Sequence, residues 1–198
     1  MLSFRKFWLY CWGIIFKPTS TLKQLAEEAS LSYAFAAYFL FGLLYGLFSL
    51  VVYFYGHLPR GVLVNFIPAR TYYLWEAIFM IPVTMQIYVL FAALAHLLAR
   101  LQRGQGSFEG TLSVLGFTYS IPLIVLFWIP DVVLFFLFGS RVQLNFVPFY
   151  GPAAGLWTFI LSLMGIKIAQ HISLPRALFV TIVAMGFSFA FLGGLLIR

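Results

Sequence analysis

The stretch that decides the fold is LSYAFAAYFLFGLLYGLFSLVVYFYG, residues 31–56. No charged residue interrupts it. It exceeds the ~20 apolar residues that an α-helix needs to cross ~30 Å of hydrocarbon. Because lipid offers no hydrogen-bond partner to a backbone amide, such a stretch must be helical inside a membrane. The sequence therefore predicts a membrane-spanning helix here.

Further apolar stretches follow this first one along the chain. Hydrophobic residues make up 63% of the 198 residues and charged residues only 9%, whereas a soluble domain carries about 25% charge. We therefore predict an all-α fold, a polytopic membrane helix bundle with five transmembrane helices and N-terminal interfacial amphipathic helices. The other four predicted spans are 72–99, 111–138, 153–171 and 175–197.

The predicted division of the chain is an N-terminal interfacial segment, 1–30, and a five-helix transmembrane domain, 31–198. In the first segment Arg5 and Lys6 precede an apolar run that ends at Lys17-Pro18 rather than at small residues, so we predict no signal cleavage. Tryptophan favours the headgroup level, which predicts an interfacial helix; the alternative is a short helix packed on the bundle. The predicted apolar face is Phe4, Phe7, Trp8, Cys11, Trp12 and Ile15.

A second short amphipathic helix is predicted before the first span. Thr21 and Gln24 have the spacing of a capping box. Lys23 and Glu27 are four residues apart, which predicts an ion pair along the helix. The single cysteine excludes both an intrachain disulfide and a cysteine-pair metal site.

The distribution of lysine and arginine predicts the orientation, since cytoplasmic loops are enriched in them. The predicted spans leave twice as many basic residues on the N-terminal side as on the other, so we expect a cytoplasmic N-terminus and an outer C-terminus. The eight on the N-terminal side are Arg5, Lys6, Lys17, Lys23, Arg100, Arg103, Lys167 and Arg176. The four on the other side are Arg60, Arg70, Arg141 and Arg198.

Two acids inside predicted spans form a candidate intramembrane polar site. Glu76 and Asp131 both fall toward the outer leaflet, and a charge in mid-bilayer costs on the order of 3 kcal/mol. Pro122 and Pro130 predict a kinked or broken third span, whose freed carbonyls beside an acid can bind a cation or proton. If the two carboxylates converge, one should hold a proton or recruit a cation or an arginine. Arg70 and Arg141 complete this candidate site; in the alternative, both acids reach the outer surface and pair with Arg60, Arg70 or Arg141.

A second candidate site lies at the inner ends of the second and fourth spans. The pattern places basic and polar side chains at similar depth, where a basic rim can hold lipid phosphate. The alternative is ordinary anchoring by positive charges. The candidate inner-leaflet lipid contacts are His96, Arg100, Lys167 and His171.

The sequence carries no pattern of a catalytic or cofactor site. The three histidines share no metal-ligand spacing, and hydrolase and phosphate-loop motifs are missing. The stretch 104–107, Gly-Gln-Gly-Ser, resembles an anion-binding loop but lacks its lysine; the favoured alternative is a turn in which Ser107 caps the third span, opposite Gly110. We expect no enzyme activity, no cofactor, no metal and, because the basic residues are scattered, no nucleic-acid partner.

Two outward loops have similar sequences. Asn65-Phe66-Ile67-Pro68 and Asn145-Phe146-Val147-Pro148 lie 80 residues apart, each between two predicted spans. This similarity raises the hypothesis of an internal helix-pair repeat with the fifth helix added. The alternative is chance, since aromatic membrane loops resemble each other.

Three segments together resemble the Yip-domain family, small five-helix membrane proteins named for interaction with Ypt/Rab GTPases. Each segment carries one feature of the family pattern. In chain order these features are an F-x-P before the first span, a Gly-rich loop that opens the third span, and a W…GIK…S…A pattern across the last two spans. The segments are IIFKPTSTLKQLAEEASLSYAFAAYFLFG (14–42), GQGSFEGTLSVLGFTYSIPLIV (104–125) and GLWTFILSLMGIKIAQHISLPRALFVTIV (155–183).

The resemblance implies the same topology that the charge count predicts. It also implies an integral membrane protein that organises membrane lipids or protein partners; the alternative is a small transporter or lipid-moving protein that uses the kinked third helix and the acids. The short segment before the first span resembles compact prokaryotic members, so we expect a plasma membrane. Expected partners are membrane lipids, including anionic phospholipid, and a membrane-protein partner or a second copy of the chain.

Overall fold

The computed structural model describes residues 3–59 and 67–196, except for the side chains of 189 and 191–196. Within these residues the regular structure is helical, with no strand. The first elements are α1 (Phe4–Phe16), α2 (Pro18–Glu28), α3 (Leu31–Phe54), a 3₁₀ turn (Ala69–Thr71) and α4 (Tyr72–Leu101). The remaining elements are α5 (Phe108–Leu123), a π-helical turn (Ile124–Trp128), α6 (Ile129–Phe138), α7 (Ser140–Gln170) and α8 (Leu174–Leu196).

The predicted polytopic helical bundle is confirmed. Four helical segments are long and apolar enough to cross a membrane, and α8 contributes a shorter apolar stretch, Leu174–Ser188, among the described residues. The fifth predicted span therefore corresponds to a helix whose described apolar part is shorter than the others. The four long segments are Leu31–Phe54, Ala69–Leu101, Phe108–Phe138 and Ser140–Gln170.

Helix α5 lies at the centre of the bundle. Every residue from Gly110 to Pro122 is buried, and α5 contacts α1, α2, α3, α4 and α7. The helix carries no charged residue between Gly110 and Pro122, and its polar side chains there are the small hydroxyls of Thr111, Ser113, Thr118 and Ser120 and the phenol of Tyr119, which suits a central position. Gly116 permits a close approach of α5 to α3, because a Cβ there would lie 2.9 Å from the Cα of Ala34. The backbones of α3 and α5 therefore pack directly against each other.

The third span is not broken, because Phe108–Phe138 is one continuous helical segment, but it contains a π-helical turn between α5 and α6. Pro130 has no N–H to donate to the carbonyl of Leu126, and its ring would clash with that carbonyl in a regular α-helix. A wider turn just before the proline relieves this conflict. Trp128, in the π-helical turn, donates from Nε1 to the carbonyl of Leu44 over 2.9 Å and so ties the turn to α3.

The predicted start of the fourth span, at 153, is wrong. Helix α7 begins at Ser140, directly after Gly139, whose φ of 81° ends α6. The stretch 145–148 is therefore helical rather than a loop, and Pro148 lies inside the helix. The matching stretch is not helical at Ile67 and Pro68, while Asn65 and Phe66 lie outside the described residues. The two stretches thus differ in local structure, which argues against the repeat.

The predicted capping box of α2 is also wrong. The helix begins at Pro18, whose fixed φ suits the first helical position. Thr21 lies inside the helix, where its hydroxyl donates to the carbonyl of Lys17 over 3.0 Å. The ion pair seen in this region joins α1 to α2: Lys6 Nζ lies 2.5 Å from Glu28 Oε1.

Candidate functional site

Glu76 of the predicted outer site lies in the second turn of α4, facing α3. The hydroxyl of Ser49 donates to Glu76 Oε2 over 2.8 Å. The same hydroxyl lies 3.1 Å from the carbonyl of Tyr45, one turn earlier in α3. The carboxyl therefore connects the first two spans and does not simply reach into the headgroups.

Asp131, the second predicted acid, follows the π-helical turn and is only 3% exposed. Gln143 donates from Nε2 to Asp131 Oδ1 over 2.7 Å, and the hydroxyl of Tyr150 donates to the same oxygen. Both donors belong to α7. Because a buried carboxylate is tolerated only when its oxygens are hydrogen-bonded, these contacts explain its position.

The structure brings the two acids into one neighbourhood. They lie within electrostatic range of each other, and Tyr45 of α3 lies within the same range of both. The ring of Phe127 is stacked on Tyr45 at 6.2 Å and meets Tyr150 edge-on at 5.5 Å. Side chains of α3, α4, α6 and α7 thus form one polar and aromatic cluster.

The two arginines predicted for this site lie at the surface. Arg70 is exposed in the 3₁₀ turn and lines a cavity of about 550 Å³ together with His57. Arg141 is exposed in the first turn of α7. Arg60, the third candidate for pairing, lies outside the described residues. The described hydrogen bonds to the two carboxyls come instead from the neutral side chains of Ser49, Gln143 and Tyr150.

The four predicted inner residues separate into two groups. In the first group, His96 Nδ1 lies 2.9 Å from Gln170 Nε2, and Arg100 Nη1 donates to the carbonyl of Gly104 over 3.3 Å. Gln170 is fully buried, and its amide nitrogen also contacts Thr111 Oγ1. These side chains therefore hold the ends of α4, α5 and α7 together.

The second inner group, Lys167 and His171, lines a cavity of about 860 Å³ between α2, the α4–α5 loop and the end of α7. Lys23 of α2 lines the same cavity and was not among the predicted contacts. The sequence feature that could have identified Lys23 as an inner contact was its position on the polar face of an amphipathic helix. The cavity also receives the carboxylate of Glu27.

The Gly-rich loop is a structural turn at the edge of this cavity. Ser107 caps α5, as expected, by accepting a hydrogen bond from the amide of Gly110 over 2.9 Å. Gly106 is required for packing, because a Cβ there would lie 1.7 Å from the carbonyl oxygen of Ala169. The amide of Gln105 donates to the carbonyl of Gln170 over 3.0 Å. The loop is thus docked on the end of α7.

Helix α1 presents two different faces. Its packed face is Phe7, Tyr10, Cys11 and Ile14, all buried, and burial raises the pKa of the Cys11 thiol to about 12. The predicted apolar face was therefore partly wrong, because it grouped Phe7 and Cys11 with Trp8. The exposed face is an aromatic stripe at four-residue spacing, Phe4, Trp8, Trp12 and Phe16.

Comparison of the sequence with known protein families identifies the family of this chain. The sequence model of the Yip1 domain matches residues 12–196. The chain belongs to the Yip1 domain family. The match contains all three segments on which the resemblance rested, so that prediction is confirmed. No curated protein and no solved structure matches the chain.

The Yip1 domain begins inside α1 and therefore includes the amphipathic α2 as well as the long apolar helices. Together with the four helices able to cross a membrane, the match makes this an integral membrane protein of the Yip1 type. Among the described residues of this Yip1 domain, no group of three or more histidine, cysteine or acidic side chains is placed to hold a metal ion.

Proposed function

We propose that this Yip1-domain protein is a non-enzymatic organiser of membrane lipids or protein partners at the cytoplasmic face of a cell membrane. The observation that carries this proposal is the aromatic stripe of α1. Trp8 is 40% exposed and Trp12 59% exposed on a helix whose opposite face is packed on the bundle.

The stripe has the character of a membrane-interface contact. Tryptophan rings prefer the headgroup level, and a helix with one apolar face lies in the interface with that face ~5–10 Å deep. Tyr10 and Phe7 pack on Phe117 of α5, with ring centroids 5.8 and 5.7 Å apart. The stripe is therefore held at a fixed position relative to the spans. A rigid apolar wedge in one leaflet orders the lipids around it.

Two buried polar side chains, Asp131 and Gln170, have contacts that support a structural, non-enzymatic role for them. Asp131 accepts hydrogen bonds from Gln143 and Tyr150, and Gln170 contacts His96 and Thr111. These contacts join helices to each other. In this proposal the buried polar groups maintain the shape of the bundle, and the membrane-facing surface carries the activity.

The proposed orientation places the N-terminus in the cytoplasm and the C-terminus outside. The excess of basic residues on the N-terminal side supports it. Alkaline phosphatase is active only outside the cytoplasm, so a fusion after Arg198 should be active and a fusion after Arg103 inactive. The reverse pattern would contradict the orientation.

Lipid organisation is tested with the full chain reconstituted in phosphatidylcholine vesicles that contain self-quenching, headgroup-labelled phosphatidylglycerol. Wild-type protein should increase the quenching, because it gathers the labelled lipid. Trp8→Glu with Trp12→Glu should abolish the increase, whereas Trp8→Leu with Trp12→Leu, which keeps the face apolar, should retain most of it. No change with the wild type would reject lipid organisation. A pulldown with native lipids retained then asks whether a protein partner or a second copy is held instead.

A second candidate function is movement of a proton, ion or lipid past the outer cluster. The π-helical turn in the third span and the closeness of Glu76 to Asp131 favour it. Proteoliposomes would then show proton, cation or labelled-lipid flux that Glu76→Gln and Asp131→Asn reduce and Glu109→Gln leaves unchanged. Flux equal to that of empty vesicles would reject this candidate.

A further inference from the structure

We propose that the cavity between α2, the α4–α5 loop and the end of α7 binds the phosphate of an anionic phospholipid from the inner leaflet. This inference rests on the proposed lipid-organising function and assigns it a specific headgroup site. The cavity has a volume of about 860 Å³, which is ample for a phosphate diester and the start of its acyl chains.

The cavity lies at the height where a headgroup would be. α4 ends at Leu101, α5 begins at Phe108 and α7 ends at Gln170, and the loops and termini of these helices surround the cavity. Helix α2 closes it from the side, with Leu22 and Leu25 buried against the bundle and Lys23 exposed. The spans lead away from the cavity into the bilayer. A lipid standing beside α7 would therefore reach the cavity with its headgroup.

The charges around the cavity favour an anion. Lys23 comes from α2, whereas Lys167 and His171 come from the end of α7. Glu27 is the acid among the lining residues, so the lysines leave a positive balance even with a neutral imidazole. Lysine ammonium groups bind phosphate as point charges and tolerate variable geometry. Glu109 in the first turn of α5 offsets the positive end of the helix dipole at Ser107, so the attraction for an anion comes from the lysines.

Part of the wall is polar, with Thr19, Gln105 and Ser107, and part is apolar, and the apolar part favours an amphiphile over a free anion. Met164 and Ile168 of α7 line it together with Ala26 of α2. Inorganic phosphate gains nothing from such a wall, whereas the glycerol backbone and first methylenes of a phospholipid are stabilised by it. A cationic rim beside an apolar wall matches the two parts of one lipid molecule.

The other inner residues do not contribute to this site. Arg100 donates to the carbonyl of Gly104, and His96 contacts the buried amide of Gln170. The cavity instead recruits Lys23, from a helix outside the predicted spans. The site therefore forms only when α2 is docked on α7.

The test is native mass spectrometry of the full chain in detergent with added dioleoyl-phosphatidylglycerol or dioleoyl-phosphatidylcholine. Wild-type protein should retain one phosphatidylglycerol at least tenfold more tightly than phosphatidylcholine. Lys23→Gln with Lys167→Gln should weaken the binding roughly tenfold to thirtyfold, since each cation near an anionic headgroup contributes about fivefold. The matched control is Arg103→Gln with Arg176→Gln, which removes the same charge from the inner face outside the cavity and should leave the affinity within twofold.

Each other outcome rejects the site. Equal losses in the two double variants would mean nonspecific charge attraction, and no preference for phosphatidylglycerol would mean no headgroup site. Retention of glycerol 1-phosphate or inorganic phosphate at the same affinity would replace the lipid with a soluble phosphate. If the cavity variant does not fold, a photoactivatable phosphatidylglycerol on the wild type must label Met164 or Ile168. Lipid clustering by the aromatic stripe would survive failure of this site, so the two proposals can be told apart.

Discussion

Gln143 of α7 donates a hydrogen bond to Asp131 of α6 over 2.7 Å, across the turn at Gly139. The bond holds the first turn of α7 against the helix that precedes it. It explains why α7 begins more than three turns before the predicted apolar span. An acid placed in a membrane segment thus acts as a structural connection between two helices.

Asp131→Ala should destabilise the bundle. Removal of the acceptor leaves the buried amide of Gln143 and the hydroxyl of Tyr150 without their partner, at a cost of about 2–4 kcal/mol for the two donors. Asp131→Asn keeps the Oδ1 acceptor and should cost less than half as much. Denaturant-induced unfolding in mixed micelles measures both. Glu109→Ala, at an exposed acid, is the control and should change stability by less than about 0.5 kcal/mol. Equal stability of the wild type and Asp131→Ala would show that the connection contributes nothing.

Pro130→Ala should convert the π-helical turn to regular α-helix. Alanine restores an N–H that can bond the carbonyl of Leu126 and removes the ring that forces the wider turn. The conversion rotates Asp131 away from Gln143. A short thiol cross-linker joining Asp131→Cys and Gln143→Cys, in a Cys11→Ser background, should react efficiently with Pro130 present and poorly with alanine. Pro122→Ala, which lies before the turn, serves as the comparison. Unchanged cross-linking in the Pro130 variant would mean that this proline does not determine the turn.

The sequence specified the parts of this protein that depend on local composition. Long apolar runs predicted the spans, prolines predicted an irregularity in the third span, which is the π-helical turn, and Ser107 predicted its own cap on α5. The order of motifs predicted the Yip1 family. Each of these depends on residues close together in the chain.

Features that depend on distant contacts were missed. The stretch 145–148 was predicted to be a loop between two spans, but it is helical, because a membrane helix tolerates Pro148. Phe7 and Cys11 are apolar like Trp8, and packing against distant residues such as Leu22 and Phe117 decides which of them are buried. Lys23 joins the inner cavity because α2 docks on α7. In an almost uniformly apolar chain, hydrophobicity alone does not distinguish the lipid-facing side of a helix from the packed side.

Gly106→Ala and Gly155→Ala should change the stability of the protein in opposite directions. A Cβ at residue 106 would lie 1.7 Å from a backbone oxygen of α7, so the loop must move, at a cost of about 1–3 kcal/mol or more. A Cβ at residue 155 meets nothing within 4 Å, and alanine there should stabilise α7 by about 0.5–1 kcal/mol. Thermal unfolding of the two variants side by side measures the difference. A tolerated Gly106→Ala would contradict the tight docking of the loop.

The Lys6–Glu28 ion pair should hold α1 on α2 only within a defined pH range. Its hydrogen bond to Glu28 raises the pKa of Lys6. Burial would raise the pKa of Glu28, but the hydrogen bond and charge of Lys6 lower it overall. The carboxylate's contribution is present above its unfolded pKa of about 4.3 and is lost as the pH falls through the lower folded value. The ammonium's contribution is present below about 10.4 and is lost as the pH rises through the higher folded value.

A spin label at Ser3→Cys, in a Cys11→Ser background, should therefore gain mobility as the pH falls below about 4.3, through the lowered pKa of Glu28, and as it rises above about 10.4, through the raised pKa of Lys6. Glu28→Gln should make the label mobile throughout the range. Glu27→Gln, one position away on the same helix, should leave both transitions in place. If the mobility of the label does not change with pH while Lys6 and Glu28 are both present, other contacts alone hold the start of α1.

The most direct test of the account measures the depth of the aromatic stripe of α1 in a bilayer. A spin label at Trp12→Cys, in a Cys11→Ser background and in phosphatidylglycerol-containing nanodiscs, is exposed to oxygen and to a water-soluble nickel chelate. We expect preferential collision with oxygen at ~5–10 Å below the phosphates, because the exposed face lies in the interface. A label at Gln24→Cys on α2 should collide mainly with the nickel chelate. If the label at residue 12 is as accessible to nickel as the label at residue 24, α1 lies outside the bilayer and the proposed lipid-organising role is wrong.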